Sequence, residues 1–302
     1  MGRNNHQMLN KVNKDRIDCP VLLKWVGGKY QLSKKLIPLF PDHDTYIEPF
    51  FGGGSVYFRK AKAKYNIVND INMDLVNLYM CVADKDMFDK VQRCTGGMLS
   101  ARALYEKAGE MLDTPMEISD IGKDWERASY YMFYMRSAFN ATHNAGFAVR
   151  KQYAQPWNHR ILQVLDACHL KLSGTVVECM DFFDMVEKYK DTPSVFWYLD
   201  PPYVVADKEK YYEFNFNPSM HERMLECMIT LDREGAKFLI SYDDIPWLNE
   251  MYDKAGFNID YIDCVYCASG RKGEEQKKAT ELIITNYKHD NQEDKQRSLF
   301  DG

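Results

Sequence analysis

The sequence predicts an α/β fold built on a mostly parallel seven-stranded sheet with an antiparallel edge strand. Short apolar runs rich in β-branched and aromatic residues recur along the chain, and helical patterns separate several of them. This alternation favours a parallel sheet with helices on both faces. The last two runs are joined by a polar stretch with no room for an apolar helix, which favours an antiparallel pair at the sheet edge. The runs are Tyr46-Ile47, Ile67-Val68, Val176-Val177, Val195 to Leu199, Lys237 to Ser241, Ile259 to Tyr266 and Leu282 to Thr285.

Residues 91–165 break this alternation, because they carry helical patterns but no clear strand run. We interpret them as an inserted, mainly helical subdomain between two parts of the main domain, 18–90 and 166–287. Polar composition predicts flexible tails at 1–17 and 288–302.

Composition limits the class of protein. With 302 residues and 45% hydrophobic content the chain can bury one large core, and no window approaches the roughly 20 apolar residues of a membrane span. We therefore expect a cytoplasmic protein with no membrane partner. Eight scattered cysteines predict free thiols, and the lone C-x-x-C pair of Cys264 and Cys267 lacks further ligands, so no metal site is predicted.

One segment of the chain has the character of a nucleic-acid interface. The net charge of −5 excludes a uniformly basic surface, so such binding needs a local patch. Between Arg127 and Arg160 there is no acidic residue, and basic and aromatic side chains are interleaved. This basic aromatic segment includes Arg127, Arg136, Arg150, Lys151 and Arg160, with Tyr130, Tyr131, Phe133, Tyr134, Phe139, Phe147, Tyr153 and Trp157 among them.

A glycine-rich turn follows the first predicted strand, at Tyr46 to Ser55. Glycines let a ligand approach the backbone closely at the positive end of a helix, although such loops also serve as plain tight turns. The second strand ends in Asp70, near the spacing at which doubly wound folds bind a ribose diol. Glu48 suits an ammonium group and would repel a phosphate. The pattern therefore favours a nucleoside that carries an amino acid over a dinucleotide.

A second motif, Asp200-Pro201-Pro202-Tyr203, directly follows the apolar run Val195 to Leu199. The competing interpretation is a proline-rich turn that merely closes a strand. Prolines have no N–H, so carbonyl acceptors are left free at the strand end. Hydrogen bonds from an aromatic amine to the Asp200 carboxylate and the Pro201 carbonyl would draw its nitrogen towards sp³ geometry and oppose developing positive charge. Tyr203 is suited to stack on an extruded base.

Four segments, in order along the chain, carry a family resemblance: Leu22-Leu23-Lys24-Trp25-Val26-Gly27-Gly28-Lys29-Tyr30, Glu48 to Ser55, Asp70-Ile71-Asn72-Met73-Asp74-Leu75, and Asp200 to Tyr203. Together they closely resemble the Dam-like DNA adenine-N6 methyltransferases, over about residues 20–85 and 125–287. The order of the motifs is that of the cofactor-first class of the family, and Thr280 to Tyr287 is similar to its closing strand.

The resemblance implies a Rossmann-like methyltransferase fold, in which 18–90 and 166–287 bind S-adenosyl-L-methionine and 91–165 recognises the DNA target. It implies transfer of a methyl group to the N6 amino group of a flipped adenine in double-stranded DNA, with catalysis by Asp200, Pro201, Pro202 and Tyr203. It also implies that Trp25 and Lys29 lie beside the cofactor, that Asp70 binds its ribose and that Asp181-Phe182 holds its adenine. The implied cofactor-binding residues are Trp25, Lys29, Glu48, Pro49, Phe50, Gly52, Gly53, Gly54, Ser55, Asp70, Asp181, Phe182 and Asp200.

The inserted segment matches the family less well. Tyr134 to Asn140 looks like the family's DNA-contact helix, which implies DNA contacts for Arg136 and Asn140. Where GATC-specific members have a glycine and then a guanine-reading arginine, this chain has Ala141 and Asn144. The departure argues against GATC specificity. Asn144 stays a DNA-binding candidate, and Arg150 and Lys151 are candidates to replace the arginine, with phosphate contact or a solvated surface as the competing interpretation.

Two partners and two rival activities are left open. Gln296-Arg297-Ser298-Leu299-Phe300 resembles the short peptide by which bacterial DNA-processing proteins dock on the replication sliding clamp, against the alternative of an unstructured end. A cognate restriction endonuclease would accompany a restriction-modification role. The rival activities are cytosine-N4 methylation, against which Asp200 weighs because such enzymes more often carry serine there, and DNA binding without catalysis.

Overall fold

The computed structural model describes residues 19–25, 27–138, 146–148, 157–158, 160–202, 218–265 and 278–289. Each of the seven predicted apolar runs coincides, in its described residues, with a strand of one seven-stranded sheet, so this part of the fold prediction is confirmed. The strands are β1 (Thr45–Glu48), β2 (Tyr65–Asn69), β3 (Val176–Glu178), β4 (Val195–Leu199), β5 (Lys237–Asp243), β6 (Asn258–Val265) and β7 (Lys278–Thr285).

The strand order is β3-β2-β1-β4-β5-β7-β6. β2 pairs with β3, β1 with β4 and β4 with β5, all in parallel, whereas β7 runs antiparallel to both β5 and β6. The predicted antiparallel pair at the edge is thus confirmed, with β7 as its reversed strand and β6 outermost. Parallel strands align their carboxyl ends at one edge of a sheet, and both motifs of the sequence follow such ends.

The chain divides into two compact units, one of Met1–Ser33 and Phe51–Cys179 and the other of Lys34–Phe50 and Met180–Gly302. The predicted boundaries of the inserted subdomain, 91–165, stay a prediction. The described residues form the helices α1 (Ser33–Leu36), α2 (Met73–Ala83), α3 (Lys85–Gly97), α4 (Arg102–Leu112), α5 (Trp125–Ser137), α6 (Ile161–Leu172), α7 (Phe182–Tyr189), α8 (Pro218–Arg233) and α9 (Pro246–Lys254), with 3₁₀ turns at Ile37–Leu39 and Ile118–Asp120.

The first unit is organised around α5, which begins where the Asp124 side chain accepts a hydrogen bond from Arg127 N. Nearly all of this helix is buried, which explains why apolar and aromatic residues occur around most of its circumference. Arg127 forms a salt bridge with Asp74 of α2, with Nε 2.5 Å from Oδ1 and Nη2 3.0 Å from Oδ2. Its Nη1 donates to the Met111 carbonyl. Arg127 was counted in the basic aromatic segment, but the structure places it in an ion pair that joins two helices.

In the second unit, β4 is buried along its whole length, as expected for a strand covered on both faces. Its five residues are all apolar or aromatic, and Asp200 is the first charged side chain after it. No helix among the described residues has the length and apolar character needed to cross a membrane.

Candidate active site

The glycine turn of the first unit is built so that Trp25 can lie directly against its backbone. Gly52 has a φ of +45°, and a Cβ at this position would lie 2.8 Å from Trp25 Nε1. A Cβ at Gly53 would lie 2.8 Å from Trp25 Cβ. No side chain fits at either position unless the indole moves. Trp25 was predicted at this site only from the family resemblance. The structure adds the steric reason why glycines lie beside it.

Asp70 binds the same turn through its carboxylate. Its Oδ2 accepts a hydrogen bond from Gly52 N at 2.8 Å, and its Oδ1 accepts one from Asn72 N at 3.0 Å. Burial raises the pKa of Asp70, although these backbone donors oppose the rise. Tyr79 Oη donates to the Gly52 carbonyl at 2.8 Å. The turn and the predicted ribose-binding acid therefore form one hydrogen-bonded framework at the end of β2.

Two more predicted cofactor residues lie in the first unit near these groups. Lys29 is buried, and its Nζ is 3.4 Å from the Gly27 carbonyl. Ser55 is half-buried, and a Cβ at Gly28 would lie 3.2 Å from its Oγ. The segment that carries Lys29 thus lies next to the end of the glycine turn, at Ser55.

Gly54 also lies in the first unit, whereas the second unit holds the other predicted cofactor residues, Glu48, Pro49, Phe50, Asp181, Phe182 and Asp200. Glu48 is only 2% exposed and accepts a hydrogen bond from Tyr46 Oη at 2.6 Å, and Pro49 after it is buried. The Phe50 and Phe182 rings lie 5.0 Å apart at 30°. Asp181 caps α7 by accepting a hydrogen bond from Phe183 N at 2.8 Å. The structure thereby brings Phe50 to the Asp181-Phe182 pair, which the sequence places far away.

The second motif leaves the sheet as predicted, directly after β4. Asp200 and Pro202 are half-buried and Pro201 is buried, while Tyr203 lies outside the described residues. The Pro202 carbonyl accepts a hydrogen bond from Tyr242 Oη at 2.8 Å.

Sequence reasoning missed two residues at this motif. The Tyr242 hydroxyl is 3.1 Å from His221 Nε2, and both side chains are 1% exposed. They stand on β5 and α8, and nothing in their sequence neighbourhood signals a contact with the motif.

Of the five predicted DNA contacts, the structure describes Arg136. Its Nη1 donates to the Leu22 carbonyl at 2.7 Å, and burial lowers its pKa. Among the described residues, the buried Arg136 Nε has no hydrogen-bond partner. The Arg136 assignment stays a prediction, and Asn140, Asn144, Arg150 and Lys151 lie outside the described residues.

Comparison with known proteins gives one consistent class. Residues 25–266 match the family described as D12 class N6 adenine-specific DNA methyltransferase. A Type II methyltransferase of Lactococcus lactis, M1.LlaDCHI, is 27% identical over 92% of this chain and 99% of that protein. The Type II methyltransferase M.MjaIII of Methanocaldococcus jannaschii is also 27% identical, over 88% of this chain and 98% of that protein. The DNA adenine methylase of Escherichia coli K12 is 24% identical over 86% of this chain and 93% of that protein.

The fold and these matches define a DNA methyltransferase. Because the match covers most of its length, the chain belongs to the family of D12 class N6 adenine-specific DNA methyltransferases. The predicted methylation of adenine N6 in DNA is confirmed by this membership, against the cytosine-N4 alternative.

Proposed function

We propose that the protein uses S-adenosyl-L-methionine to methylate N6 of an adenine that is flipped out of double-stranded DNA, with Asp200 and Pro201 as the residues that hold the amine. One observation carries the proposal: the Asp200-Pro201-Pro202 segment directly follows a fully buried parallel strand, β4. The end of this strand brings the Asp200 carboxylate and the Pro201 carbonyl to a sheet edge, where no proline N–H competes for them. These two acceptors suit a planar amine, which has two protons to donate.

The residues of the first unit fit the ribose end of the proposed cofactor. Both Asp70 oxygens accept backbone hydrogen bonds, and a carboxylate has about four acceptor sites, so capacity is left for ribose hydroxyls. The Gly52 backbone approaches Trp25 more closely than any side chain would allow. In the second unit, the Phe50 and Phe182 rings offer apolar faces for an adenine ring, and Phe50 is half-buried.

Asp200 and Pro201 act on the nucleophile. When bound, S-adenosyl-L-methionine supplies a methyl group made electrophilic by its sulfonium. The N6 lone pair of adenine is delocalised into the ring, so the amine is a poor nucleophile. Two acceptors that hold its protons out of the ring plane localise the lone pair and oppose the positive charge that grows on nitrogen. Tyr203 stacks on the extruded base in this proposal, for about 1–3 kcal/mol.

The proposal is tested with purified protein, duplex DNA of mixed sequence and S-adenosyl-L-methionine labelled in its methyl group. We expect label in N6-methyladenine. Label in N4-methylcytosine, or DNA binding without transfer, would overturn it. Sequencing the modified bases then gives the recognition site, for which Asn144 predicts something other than GATC.

The ribose assignment of Asp70 gives a prediction for cofactor binding. In Asp70→Asn an NH2 donor replaces one carboxylate oxygen, so the variant cannot accept from all the backbone N–H groups of the turn and from the ribose. We expect the affinity for S-adenosylhomocysteine to fall by tenfold or more, measured by calorimetry. A 2′,3′-dideoxyribose analogue separates binding from folding: wild type prefers the ribose form and the variant loses most of that preference. If Asp70→Asn preferred the ribose form as strongly as wild type does, Asp70 would hold the glycine turn without binding the ribose.

The DNA assignment of Arg136 gives a second prediction. If its guanidinium contacts a phosphate, Arg136→Ala weakens DNA binding and lowers the slope of log affinity against log salt by about one. Arg93→Ala is the matched control, since Arg93 is an exposed arginine of the same unit with no assigned DNA contact. If Arg136→Ala had the same salt slope as Arg93→Ala, Arg136 would have no phosphate contact, and its role would be the hydrogen bond to the Leu22 carbonyl.

Two partners belong to the same proposal. Docking of Gln296–Phe300 on a sliding clamp rests on sequence resemblance, and that peptide lies outside the described residues. A cognate restriction endonuclease is supported by the Type II names of two relatives.

A further inference from the structure

We infer that Tyr242 and His221 are positioning residues that fix the Pro202 carbonyl, and with it the segment Asp200-Pro201-Pro202. The inference rests on the proposed function, in which the Asp200 to Tyr203 motif holds the target base. Its basis is one chain of hydrogen bonds, from His221 Nε2 to Tyr242 Oη, at 3.1 Å and buried, and from Tyr242 Oη to the carbonyl of the half-buried Pro202, at 2.8 Å.

The motif needs such a support because of its prolines. β4 pairs with β5 as far as Leu199, which lies opposite Ile240. After β4 the chain continues as Asp200-Pro201-Pro202. A proline has no N–H to donate to a neighbouring strand, so the backbone of Pro201 and Pro202 can form hydrogen bonds only through its carbonyl acceptors. Tyr242, two residues beyond Ile240 on β5, supplies a donor at this level.

The direction of the hydrogen bonds follows from the chemistry of the groups. A carbonyl oxygen only accepts, so the single hydroxyl proton of Tyr242 is committed to Pro202. The Tyr242 oxygen is then the acceptor for His221, which must carry its proton on Nε2. His221 therefore orients the hydroxyl and the hydroxyl orients the carbonyl. The His221 ring is itself packed edge to face against Tyr242 and Trp247, at centroid distances of 5.4 and 5.6 Å.

The restrained carbonyl belongs to the peptide unit that joins Pro202 to Tyr203. A peptide unit is planar, so a hydrogen bond at its oxygen limits rotation of the whole unit. The same segment carries Asp200 and Pro201, the groups assigned to the amine. Tyr242 thus acts on the reaction without touching substrate, by limiting the orientations of the segment that holds the amine.

The test is Tyr242→Phe, which removes one oxygen and keeps the ring in the core. Misplacement of a reacting group by about 1 Å can cost up to 10²-fold in rate, and a loosened loop should cost less. We expect kcat to fall about tenfold, with KM for S-adenosyl-L-methionine within twofold of wild type. In a duplex carrying the recognition site with 2-aminopurine at the target position, the fluorescence increase on binding should also fall. A kcat within twofold of wild type would overturn the inference.

Tyr287→Phe is the matched control. Its hydroxyl also donates to a backbone carbonyl of the second unit, that of Leu39, at 3.0 Å, but this contact is not with the motif. We expect its kcat and 2-aminopurine signal to match wild type. If it lost as much activity as Tyr242→Phe, the effect would be a general loss of buried hydroxyl contacts and the inference would fail.

A second pair of variants keeps the inference testable if Tyr242→Phe does not fold. His221→Gln retains a donor near the position of Nε2, whereas His221→Leu retains none. We expect His221→Gln to keep at least three times the kcat of His221→Leu, and equal values would contradict the inference. Asp200→Ala separates this from the proposed function: if Asp200→Ala is inactive and Tyr242→Phe is normal, only the positioning role is wrong, whereas an active Asp200→Ala removes the function on which it rests.

Discussion

Replacing Asp200 with alanine should abolish methyl transfer while leaving the fold intact. Removing one preorganised group that opposes transition-state charge typically costs 10²–10³-fold in kcat, and removing a proton-handling group 10²–10⁴-fold. Asp200 is half-buried at the end of β4, so its loss leaves no large cavity. We therefore expect kcat for N6-methyladenine formation to fall by at least about 10²-fold with little change in melting temperature. Single-turnover kinetics with labelled cofactor measure the loss directly.

Asp200→Asn and Asp191→Ala make this result specific. Asparagine keeps the shape and one acceptor but not the negative charge, so Asp200→Asn should retain more activity than Asp200→Ala only if the hydrogen bond matters apart from the charge. Asp191 is an exposed aspartate of the same unit, and its replacement should leave kcat unchanged. Since Asp200 also appears among the cofactor-binding residues, cofactor affinity is measured alongside. Near-normal turnover of Asp200→Ala would remove the polarisation argument.

The strands and the places of both motifs were accessible from sequence because they depend on local pattern. β4 has the same bounds in the sequence prediction and in the structure, since an unbroken apolar run ended by Asp200 and two prolines has few alternatives. The spacing between the glycine turn and Asp70 likewise predicted that they act together, and Gly52 N donates to Asp70 Oδ2.

Contacts between distant parts of the chain were not accessible in this way. Arg127 was read as part of a basic surface segment because charge pattern does not show that Asp74, 53 positions away, faces it in the fold. Tyr242 and His221 were missed for the same reason, since a tyrosine inside an apolar strand has the sequence signature of a core residue. The identity of an interior polar contact depends on strand register and helix placement, which a single sequence does not specify.

The second large effect is expected on stability, from Gly54→Ala. Gly54 has a φ of +63°, and its Cβ would lie 2.6 Å from Phe51 Cζ and 2.8 Å from Phe58 Cε2. Both rings are buried in the first unit and cannot swing into solvent. The left-handed conformation costs an alanine about 1–2 kcal/mol, and overpacking costs about 1–3 kcal/mol more. We expect the melting temperature to fall by roughly 5–15 °C, with loss of cofactor binding at temperatures where wild type still binds.

Two other glycines separate the causes. Gly256 has a φ of +84° with open space around its Cβ position, so Gly256→Ala measures the backbone cost alone. Gly97, the last residue of α3, also has open space and no left-handed φ, and Gly97→Ala should be neutral or slightly stabilising. Gly97→Ala should be the most stable of the three variants and Gly54→Ala the least stable, with Gly256→Ala between them. If Gly54→Ala melted together with Gly256→Ala, the aromatic rings would have made room, and the turn that carries the proposed cofactor site would be held by backbone conformation rather than by packing.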